Sequence, residues 1–523
     1  MYWADNLAKE IKKRKPPFEW VDDMKTPSGH VHVGALRGVI IHDLIYRALK
    51  DIGVKTTYSY VINDHDPMDA LPAYLSKKIF YPHMGKPFFM IPSPVKGFSN
   101  FARYFAQEFI EVFNDLGAKP LIIWSSELYK SGKMDSVIRE AFDQTPKILK
   151  IYQEIAGYPK KRKGWLPFQA ICPKCGKVGT TEAFDWDGKT VAFECLPNLV
   201  SWAKGCGHKG RISPFGGNGK LLWKVDWPAH WKVIGVTIEA AGKDHFSAGG
   251  SRDMAVTLCQ QVFKIKPPFG FGYEFFLIKG KKMSSSKGLG FSVTGVAKII
   301  PPELLRFLMT RTHYKRTIDF NPKDYTIPDL FDEYDRCAKE FWQHGRKSDL
   351  GRTFELSQID QLLTKEIFLP RFRLVATYAQ MPNINIKVQF EQEKGTKLNT
   401  KEEKILNQRI KYARIWLEGY APEDFLFKVQ PKLPKEAEKL SAKQKEYLAE
   451  VALLMKENWE NEKELEDRLY KMARKLDLPS AEAFKAIYLI FLGKSHGPKA
   501  AALLLAQERD FLIKRFKEVT KPV

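Results

Sequence analysis

Apolar residues in the first 160 positions form short β-rich runs that alternate with longer stretches of helical spacing. The runs at 18–21, 57–62 and 121–124 predict strands, and the stretches at 36–52, 100–116 and 134–155 predict helices. Strands separated by helices of this length are typical of a parallel sheet with helices on both faces. The pattern therefore predicts a doubly wound α/β domain at the start of the chain.

This alternation is interrupted between residues 160 and 219, where glycines and basic residues become frequent and four of the six cysteines occur. It resumes with a predicted strand at 231–236, a predicted helix at 251–262 and an apolar run at 273–278. We therefore interpret 160–219 as an insertion that divides one α/β domain into two halves, 1–159 and 220–300.

The rest of the chain is predicted to be helical, because apolar residues beyond position 300 recur at helical spacing. Ser441 and Gln444 form a capping-box pair, Ser480 is predicted to cap the next helix, and Gly493 is predicted to end it. We divide this part into a connecting region at 301–350 and an all-α domain at 351–523.

The charge balance indicates a polyanionic partner. The chain has 84 Lys and Arg against 61 Asp and Glu, a net charge of +23, and nucleic acid is the leading candidate. A generally basic proteome would give the same balance. A hydrophobic content of 44% excludes a disordered chain. Since no apolar run reaches the roughly 18–20 residues that span a bilayer and no signal peptide is recognisable, we expect a cytoplasmic protein without membrane contact.

The cysteines follow a metal-binding spacing. Cys172 and Cys175 are separated by two residues and followed by glycine, a knuckle that is typical of zinc sites. Cys195 and Cys206 supply the further predicted ligands of a structural Zn²⁺, with His208 as the alternative to Cys206. In a reducing compartment such cysteines are more often thiols or metal ligands than disulfides.

A first polar loop, at 26–35, leads from a predicted strand into a predicted helix. Pro27, Ser28 and Gly29 favour a turn, and a helix N-terminus after such a turn attracts anions through its free N–H groups and its dipole. His30 and His32 lie where that anion would bind. An ordinary connection that carries two surface histidines has the same sequence pattern.

A second polar loop, at 279–290, follows the apolar run at 273–278. Lys282, Met283, Lys287 and the three serines between Met283 and Lys287 lie among flanking glycines. Lysines and hydroxyl groups on a hinged loop are suited to gripping phosphates. The alternative is a solvated basic loop.

The two loops, in this order, make the chain resemble the class I aminoacyl-tRNA synthetases. Within that class it is most similar to the archaeal-type lysyl-tRNA synthetases, and the similarity spans nearly the whole chain. The further matching elements are Trp223–Pro228, Gly242–His245, Ser247–Gly250, Met283–Gly288, Gly493–Lys494, Gly497–Lys499 and Arg509–Phe511.

The resemblance implies a Rossmann-type catalytic domain with a zinc-binding insertion, a connecting region that contacts the tRNA stem, and an all-α anticodon-binding domain. It also implies ATP with Mg²⁺, lysine and tRNA(Lys) as substrates, and a monomer. The implied catalytic residues are His32 and Lys287. The implied ATP-binding residues are Pro27, Ser28, Gly29, His32, Gly34, Met283, Ser284, Ser285, Ser286 and Lys287. The implied amino-acid-binding residues are Gly29, Trp223, Glu239, Asp244, His245 and Tyr273.

Alternatives remain for the pocket and for the activity. Trp223 and Tyr273 also fit plain core packing. Ala35 stands where these enzymes carry His or Asn, so a phosphate contact is missing unless His30 or Arg37 replaces it. The alternative functions are a class I synthetase for another amino acid and a catalytically impaired tRNA-binding relative.

Overall fold

The computed structural model describes residues 1–15, 17–157, 159, 161–281, 292–459 and 462–520. The chain forms two compact units. The first contains Met1–Asn321 and Arg336–Lys365, and the second contains Pro322–Asp335 and Glu366–Val523.

The first unit combines parallel strands, helices and a small antiparallel region. Its strands are β1 (Glu19–Lys25), β2 (Thr56–Ile62), β3 (Leu121–Trp124), β4 (Phe168–Ala170), β5 (Thr181–Trp186), β6 (Val191–Cys195), β7 (Lys209–Ile212), β8 (Gly219–Leu221), β9 (Ala241–Gly242), β10 (Gly272–Tyr273), β11 (Phe276–Ile278) and β12 (Ile318–Phe320). Its helices are α1 (Trp3–Lys13), α2 (Leu36–Asp51), α3 (Lys77–Phe80), α4 (Phe101–Asp115), α5 (Ser125–Lys130), α6 (Asp135–Asp143), α7 (Thr145–Ala156), α8 (Trp223–Ile234), α9 (Ser251–Gln261), α10 (Val293–Ala297), α11 (Pro302–Thr310), the second half of α12 (Thr326–His344), and α13 (Asp349–Ser357).

The second unit is helical throughout its described residues. Besides the start of α12 it contains α14 (Phe372–Tyr378), α15 (Ile386–Lys394), α16 (Thr400–Gly419), α17 (Ala442–Leu454), α18 (Glu462–Lys475), α19 (Ser480–Leu492), α20 (Ala500–Leu505) and α21 (Arg509–Thr520). The predicted helical C-terminal region is therefore confirmed.

The central sheet is parallel, as predicted. β1 pairs in parallel with β2, and β2 with β3. Parallel bridges join Val21 of β1 to Ile238, and Ile238 to Phe269, so two further segments extend the sheet beyond β1. The resulting order, β3–β2–β1–238–269, is that of a doubly wound sheet whose connections change direction between β1 and the segment at Ile238.

The hydrophobic stripe of α2 covers this sheet. Val39, Ile40, Leu44 and Ala48 recur at helical spacing and are fully buried. Each buried Val, Ile or Leu side chain contributes about 1.5–3 kcal/mol to folding. The sheet and its carboxyl-end loops are thus held on a packed core.

The region beyond position 300 that is predicted to be helical contains a strand, β12, which pairs in parallel with β11. Three other sequence predictions need correction. The strand predicted at 231–236 is wrong: Trp231–Ile234 forms the last turn of α8, which Gly235 ends with a φ of 85°. In this helix Trp227 and Trp231, four residues apart, lie on one face, and both indole N–H groups donate to the buried Glu239. The helix predicted at 134–155 is two helices, since α7 starts anew at Thr145 with a proline in its first turn.

The third correction concerns a helix cap. The capping box of Ser441 and Gln444 is confirmed, as is the left-handed Gly493 that ends α19. Ser480 does not cap α19. It is the first helical residue, and Pro479 occupies the cap position.

The insertion is a small antiparallel structure. β4 pairs with β8 to form its stem, and β5, β6 and β7 form a three-stranded sheet. All three pairings are antiparallel, in contrast to the central sheet. Across the described ranges, no helix has the length and apolar character needed to cross a membrane.

Candidate active site

A cavity of about 220 Å³ opens at the switch point of the sheet, beyond the carboxyl end of β1. In doubly wound sheets ligands bind in this crevice, because the neighbouring connections leave it in opposite directions. Five residues predicted for the site line it: His32, Gly34, Asp244, His245 and Tyr273. The loop at 26–35 and the loop after β9 therefore meet at one crevice, although they are far apart in the sequence.

The other predicted residues lie elsewhere. Glu239 is buried in the segment that precedes β9, and Trp223 is 39% exposed at the start of α8. Pro27, Ser28 and Gly29 lie between β1 and His32. Met283, Ser284, Ser285, Ser286 and Lys287 fall outside the described residues.

The first loop is a tight turn that leads to the N-terminus of α2. Gly29 adopts a φ of 150°, a backbone conformation that favours glycine. After His32 the chain makes a single 3₁₀ turn, Val33–Ala35, and continues directly into α2. Because Gly34 and Ala35 line the cavity, the positive end of the α2 dipole is directed at it, which suits a phosphate.

His32 lies beside Ser292, which follows the second loop in the sequence. It forms an antiparallel bridge with Ser292, and the N–H of Val293 donates to the carbonyl of Val31 over 2.8 Å. Ser292 and Val293, which follow the second loop in the sequence, therefore lie beside the first loop.

The two proposed substitutes for a polar side chain at Ala35 are engaged in other contacts. The Nδ1 of His30 lies 2.6 Å from Oε2 of Glu108. The buried guanidinium of Arg37 donates to the carbonyls of His313 and Tyr314 over 3.2 and 3.4 Å. Ala35 itself lines the cavity and brings no polar group to it.

Two buried carboxyl groups flank the switch point. Asp23, on β1, lines the cavity, and burial raises its pKa to about 7. Burial likewise raises the pKa of Glu239 to about 7, against the lowering effect of hydrogen bonds from the indole N–H groups of Trp231 and Trp227. A cation beside either group favours its charged form, as Lys25 does for Asp23 and Arg252 for Glu239.

A neutral histidine fixes the position of the Glu239 segment relative to α2. The Nδ1–H of His42 donates to the carbonyl of Gly38 over 2.7 Å, and its Nε2 accepts the N–H of Ala240 over 2.9 Å. Burial lowers the pKa of His42, which keeps the ring neutral. The ring thus positions the wall of the cavity and carries no charge toward it.

Aromatic rings surround His245 on the α8 side. Its ring centroid lies 5.6 Å from that of Trp227 and 6.2 Å from that of Trp223. Its Nδ1 lies 3.0 Å from Oγ of Ser251, the first residue of α9. This arrangement places an aromatic surface beside His245.

The sequence reasoning missed Asp23 and its neighbour Asp22. A visible signal existed: two adjacent carboxylates inside a buried strand are costly unless they are paired or hydrogen-bonded, so they mark a candidate site. Asp22 is fully buried and accepts a hydrogen bond from Ser59. Tyr60, which follows the buried Tyr58 by two residues on β2, also lines the cavity. The sequence did not predict it as a site residue.

A buried lysine connects the insertion to both walls of the site. Lys220, on the stem strand β8, forms ion pairs with Asp66 and with Asp226, the latter over 2.9 Å. Asp66 accepts a hydrogen bond from Thr26, at the start of the first loop, over 2.6 Å. Asp226 belongs to α8, which carries Trp223 and Trp227.

The four predicted cysteine ligands lie together. The Sγ atoms of Cys172, Cys175, Cys195 and Cys206 are all within 4.8 Å of one another. The pairs Cys172–Cys206 and Cys175–Cys195 are 3.6 and 3.7 Å apart, close to the ~3.8 Å edge of a tetrahedron of thiolates around zinc. None of the four forms a disulfide, so the cluster could hold a metal ion.

Comparison with known proteins agrees with these features. A family model described as tRNA synthetases class I (K) matches residues 1–360. The lysine–tRNA ligase of Methanosarcina barkeri is 33% identical over 99% of this chain and 98% of its own length, and that of Methanocaldococcus jannaschii is 34% identical over 99% of both. A solved glutamate tRNA ligase from Elizabethkingia meningosepticum covers 96% of this chain and 99% of its own, with a TM-score of 0.44 and 14% identity.

The family match covers the whole parallel sheet, the loop at 26–35 and the insertion. The full-length relatives add the helical unit to this agreement. The chain therefore belongs to the class I tRNA synthetases of the (K) family.

Proposed function

We propose that this chain is a lysine–tRNA ligase, which joins lysine to the 3′-terminal adenosine of tRNA(Lys) with the consumption of ATP. The observation that supports this most is identity of 33–34% over 99% of the chain to enzymes of that name. The cavity at the switch point, next to the N-terminus of α2, is where such a reaction would take place.

In the first step the lysine carboxylate attacks the α-phosphorus of ATP, and the bond to the β-phosphate breaks to release pyrophosphate. His32 and the first turn of α2 would hold phosphate oxygens, and Lys287 would neutralise the leaving group with the bound Mg²⁺. In the second step a ribose hydroxyl of the tRNA attacks the acyl carbon and AMP leaves. Positioning and charge stabilisation supply most of the catalysis in such reactions.

The substrate lysine would place its ammonium among carboxyl groups and its methylene chain among rings. We assign the ammonium to Asp23, which lines the cavity, and to the buried Glu239, whose charge interacts with that of Asp23. Tyr273, Asp244, His245 and Trp223 would complete the pocket, together with Gly29. A lysine side chain, with one charge on a long apolar stem, fits this combination.

We propose a structural Zn²⁺ on Cys172, Cys175, Cys195 and Cys206. Four thiolates stabilise a small insertion that has little apolar core of its own. The proposal predicts one zinc per chain by elemental analysis of the purified protein. Cys206→Ser should lower that content sharply, whereas His208→Ala should leave it unchanged; the reverse result would make His208 the fourth ligand.

The helical unit would bind the anticodon arm, and the net charge of +23, which belongs to the whole chain, suits phosphate contacts along the tRNA. We propose the domain limits 301–350 for the stem-contacting region and 351–523 for the anticodon-binding domain. We expect the enzyme to act as a monomer in the cytoplasm.

The deciding experiment is ATP–pyrophosphate exchange with each standard amino acid in turn. Exchange that depends on lysine alone is the expected result. Exchange with another amino acid would change the assigned substrate. No exchange with any amino acid, tRNA included, would leave a binding protein that has lost catalysis.

A further inference from the structure

We infer that residues 74–98 form a binding surface for single-stranded RNA, which takes the unpaired 3′ end of the tRNA to the active site. This inference rests on the function proposed above. We call this segment the 74–98 surface. Its large exposed apolar side chains are Tyr74, Ile79, Tyr81, Met90, Val95 and Phe98.

Exposed apolar side chains are concentrated in this short segment. Six of the thirteen large hydrophobic residues that are exposed across the described chain lie between positions 74 and 98. Tyr81 is 65% exposed and Ile79 56%. Exposed hydrophobic residues scattered singly along a chain need no explanation, but their concentration in one packed segment indicates a candidate interaction site.

The exposure does not come from a loose segment. Beneath the surface, Phe80, Phe88 and Phe101 pack into a hydrophobic cluster of their own. The backbone is also fixed, because the N–H groups of Phe88 and Phe89 donate to the carbonyls of Asp66 and Asp64, each over 3.0 Å. The surface side chains are thus presented by a packed scaffold, so ordering them on binding costs little entropy.

The charge of the surface fits a polyanion. Lys77, Lys78 and Lys96 are exposed, and the sequence contains neither Asp nor Glu between positions 70 and 107. A protein partner that buries an apolar patch needs no such exclusion of acidic residues. Aromatic rings among lysines bind the bases and phosphates of single strands, whereas duplexes hide the faces of their bases.

The surface is attached to the first loop of the active site. The N–H of His30 donates to the hydroxyl of Tyr74 over 2.7 Å, and their rings are 4.7 Å apart. On the same side, the ring of Phe98 lies 5.1 Å from that of Tyr104, whose hydroxyl donates to Glu108, the partner of His30. A strand bound on these rings therefore ends beside the loop that would hold ATP.

The test uses the full-length protein and two substitutions outside residues 26–35, Tyr81→Ala and Phe98→Ala. Stacking on one ring contributes enough that each loss should raise the KM for tRNA on the order of tenfold. Lysine-dependent exchange needs no RNA and reports on activation separately. Leu350→Ala, which removes an exposed side chain elsewhere in the first unit, is the matched control and should change neither quantity.

A second measurement guards against a folding defect. The substitutions Lys77→Ser and Lys78→Ser leave the scaffold untouched, and each should reduce the salt dependence of RNA binding by about 0.7 in log–log slope. A hairpin RNA with an unpaired 3′ end should bind more tightly than the same hairpin with a blunt end, and this preference should vanish in Tyr81→Ala.

Three results would overturn the inference. The first is an unchanged KM for tRNA in both aromatic variants. The second is equal affinity of the wild-type protein for the blunt hairpin and for the hairpin with an unpaired 3′ end. The third is self-association that Tyr81→Ala abolishes without any change in RNA affinity. Absence of exchange in the wild-type protein would instead contradict the proposed function. The two failures are therefore distinguishable.

Discussion

Asp23 and Glu239 show how much one residue depends on its surroundings. Each would ionise near pH 4 in an unfolded chain, with reference pKa values of 3.8 and 4.5, and burial raises both to about 7. Between about pH 4 and pH 7 the folded state therefore binds more protons than the unfolded state. Its free energy of unfolding falls as the pH rises through that window, until a bound cation compensates for the charge.

The first prediction follows from this sign. The KM for lysine should fall several-fold between pH 6 and pH 8 and then level off, because the ionised carboxylates bind the ammonium. Exchange measured across this range tests it, with the KM for ATP as an internal control. Asp23→Asn should raise the KM for lysine and flatten the profile. If the KM for lysine of the wild-type protein does not change between pH 6 and pH 8, the ammonium does not bind beside these carboxyl groups.

The second prediction concerns Ala35. Neither side chain supplies the missing phosphate contact as it stands, because Glu108 engages His30, and Arg37 is buried and does not line the cavity. Ala35→Asn should therefore increase the rate of exchange, and His32→Ala should decrease it on the order of 10²–10³-fold. A slower Ala35→Asn enzyme would mean that the cavity has adapted to the small residue.

At the scale of elements, the stem of the insertion is joined to the catalytic loops by one buried ion-pair network. Lys220 lies on β8, Asp66 follows β2, and Asp226 lies on α8. Removing one partner of such a network leaves unpaired buried charges, which is strongly destabilising. The network can therefore position both the loop at Thr26 and the helix that carries Trp223.

The third prediction uses a matched pair of lysines. Lys220→Met should raise the KM for ATP, and the effect should be non-additive with Thr26→Val, because both act through Asp66. Lys232→Met is the control, since Lys232 also forms an ion pair on α8, with Glu140 over 2.6 Å, away from the first loop. Equal changes in KM in both variants, or strict additivity with Thr26→Val, would reduce Lys220 to a stabilising role.

For the whole molecule, the charge of +23 and the separate helical unit lead to the fourth prediction. Phosphate contacts make tRNA binding salt-dependent, so the KM for tRNA should rise steeply between 50 and 200 mM salt, while exchange changes little. A minihelix without an anticodon arm should be charged with a much higher KM than the tRNA. Equal KM values for the two RNAs would mean that the helical unit does not bind the anticodon arm.

The sequence alone determined the features that depend on local order and period. Alternating strand and helix patterns predicted the parallel sheet, the spacing of Cys172 and Cys175 predicted the knuckle, and the order of the two polar loops indicated the family. Such signals are readable because turn chemistry, helical spacing and ligand spacing act over a few neighbouring residues.

Only the tertiary structure decided which side chains share one environment. It placed Asp23 beside the cavity and Glu239 against two indoles of α8, converted a predicted strand into the end of that helix, and joined Lys220 to the loop at Thr26. None of these contacts has a sequence period, because each joins segments that the fold alone brings together. The physical reason is that burial and charge pairing depend on distance in space.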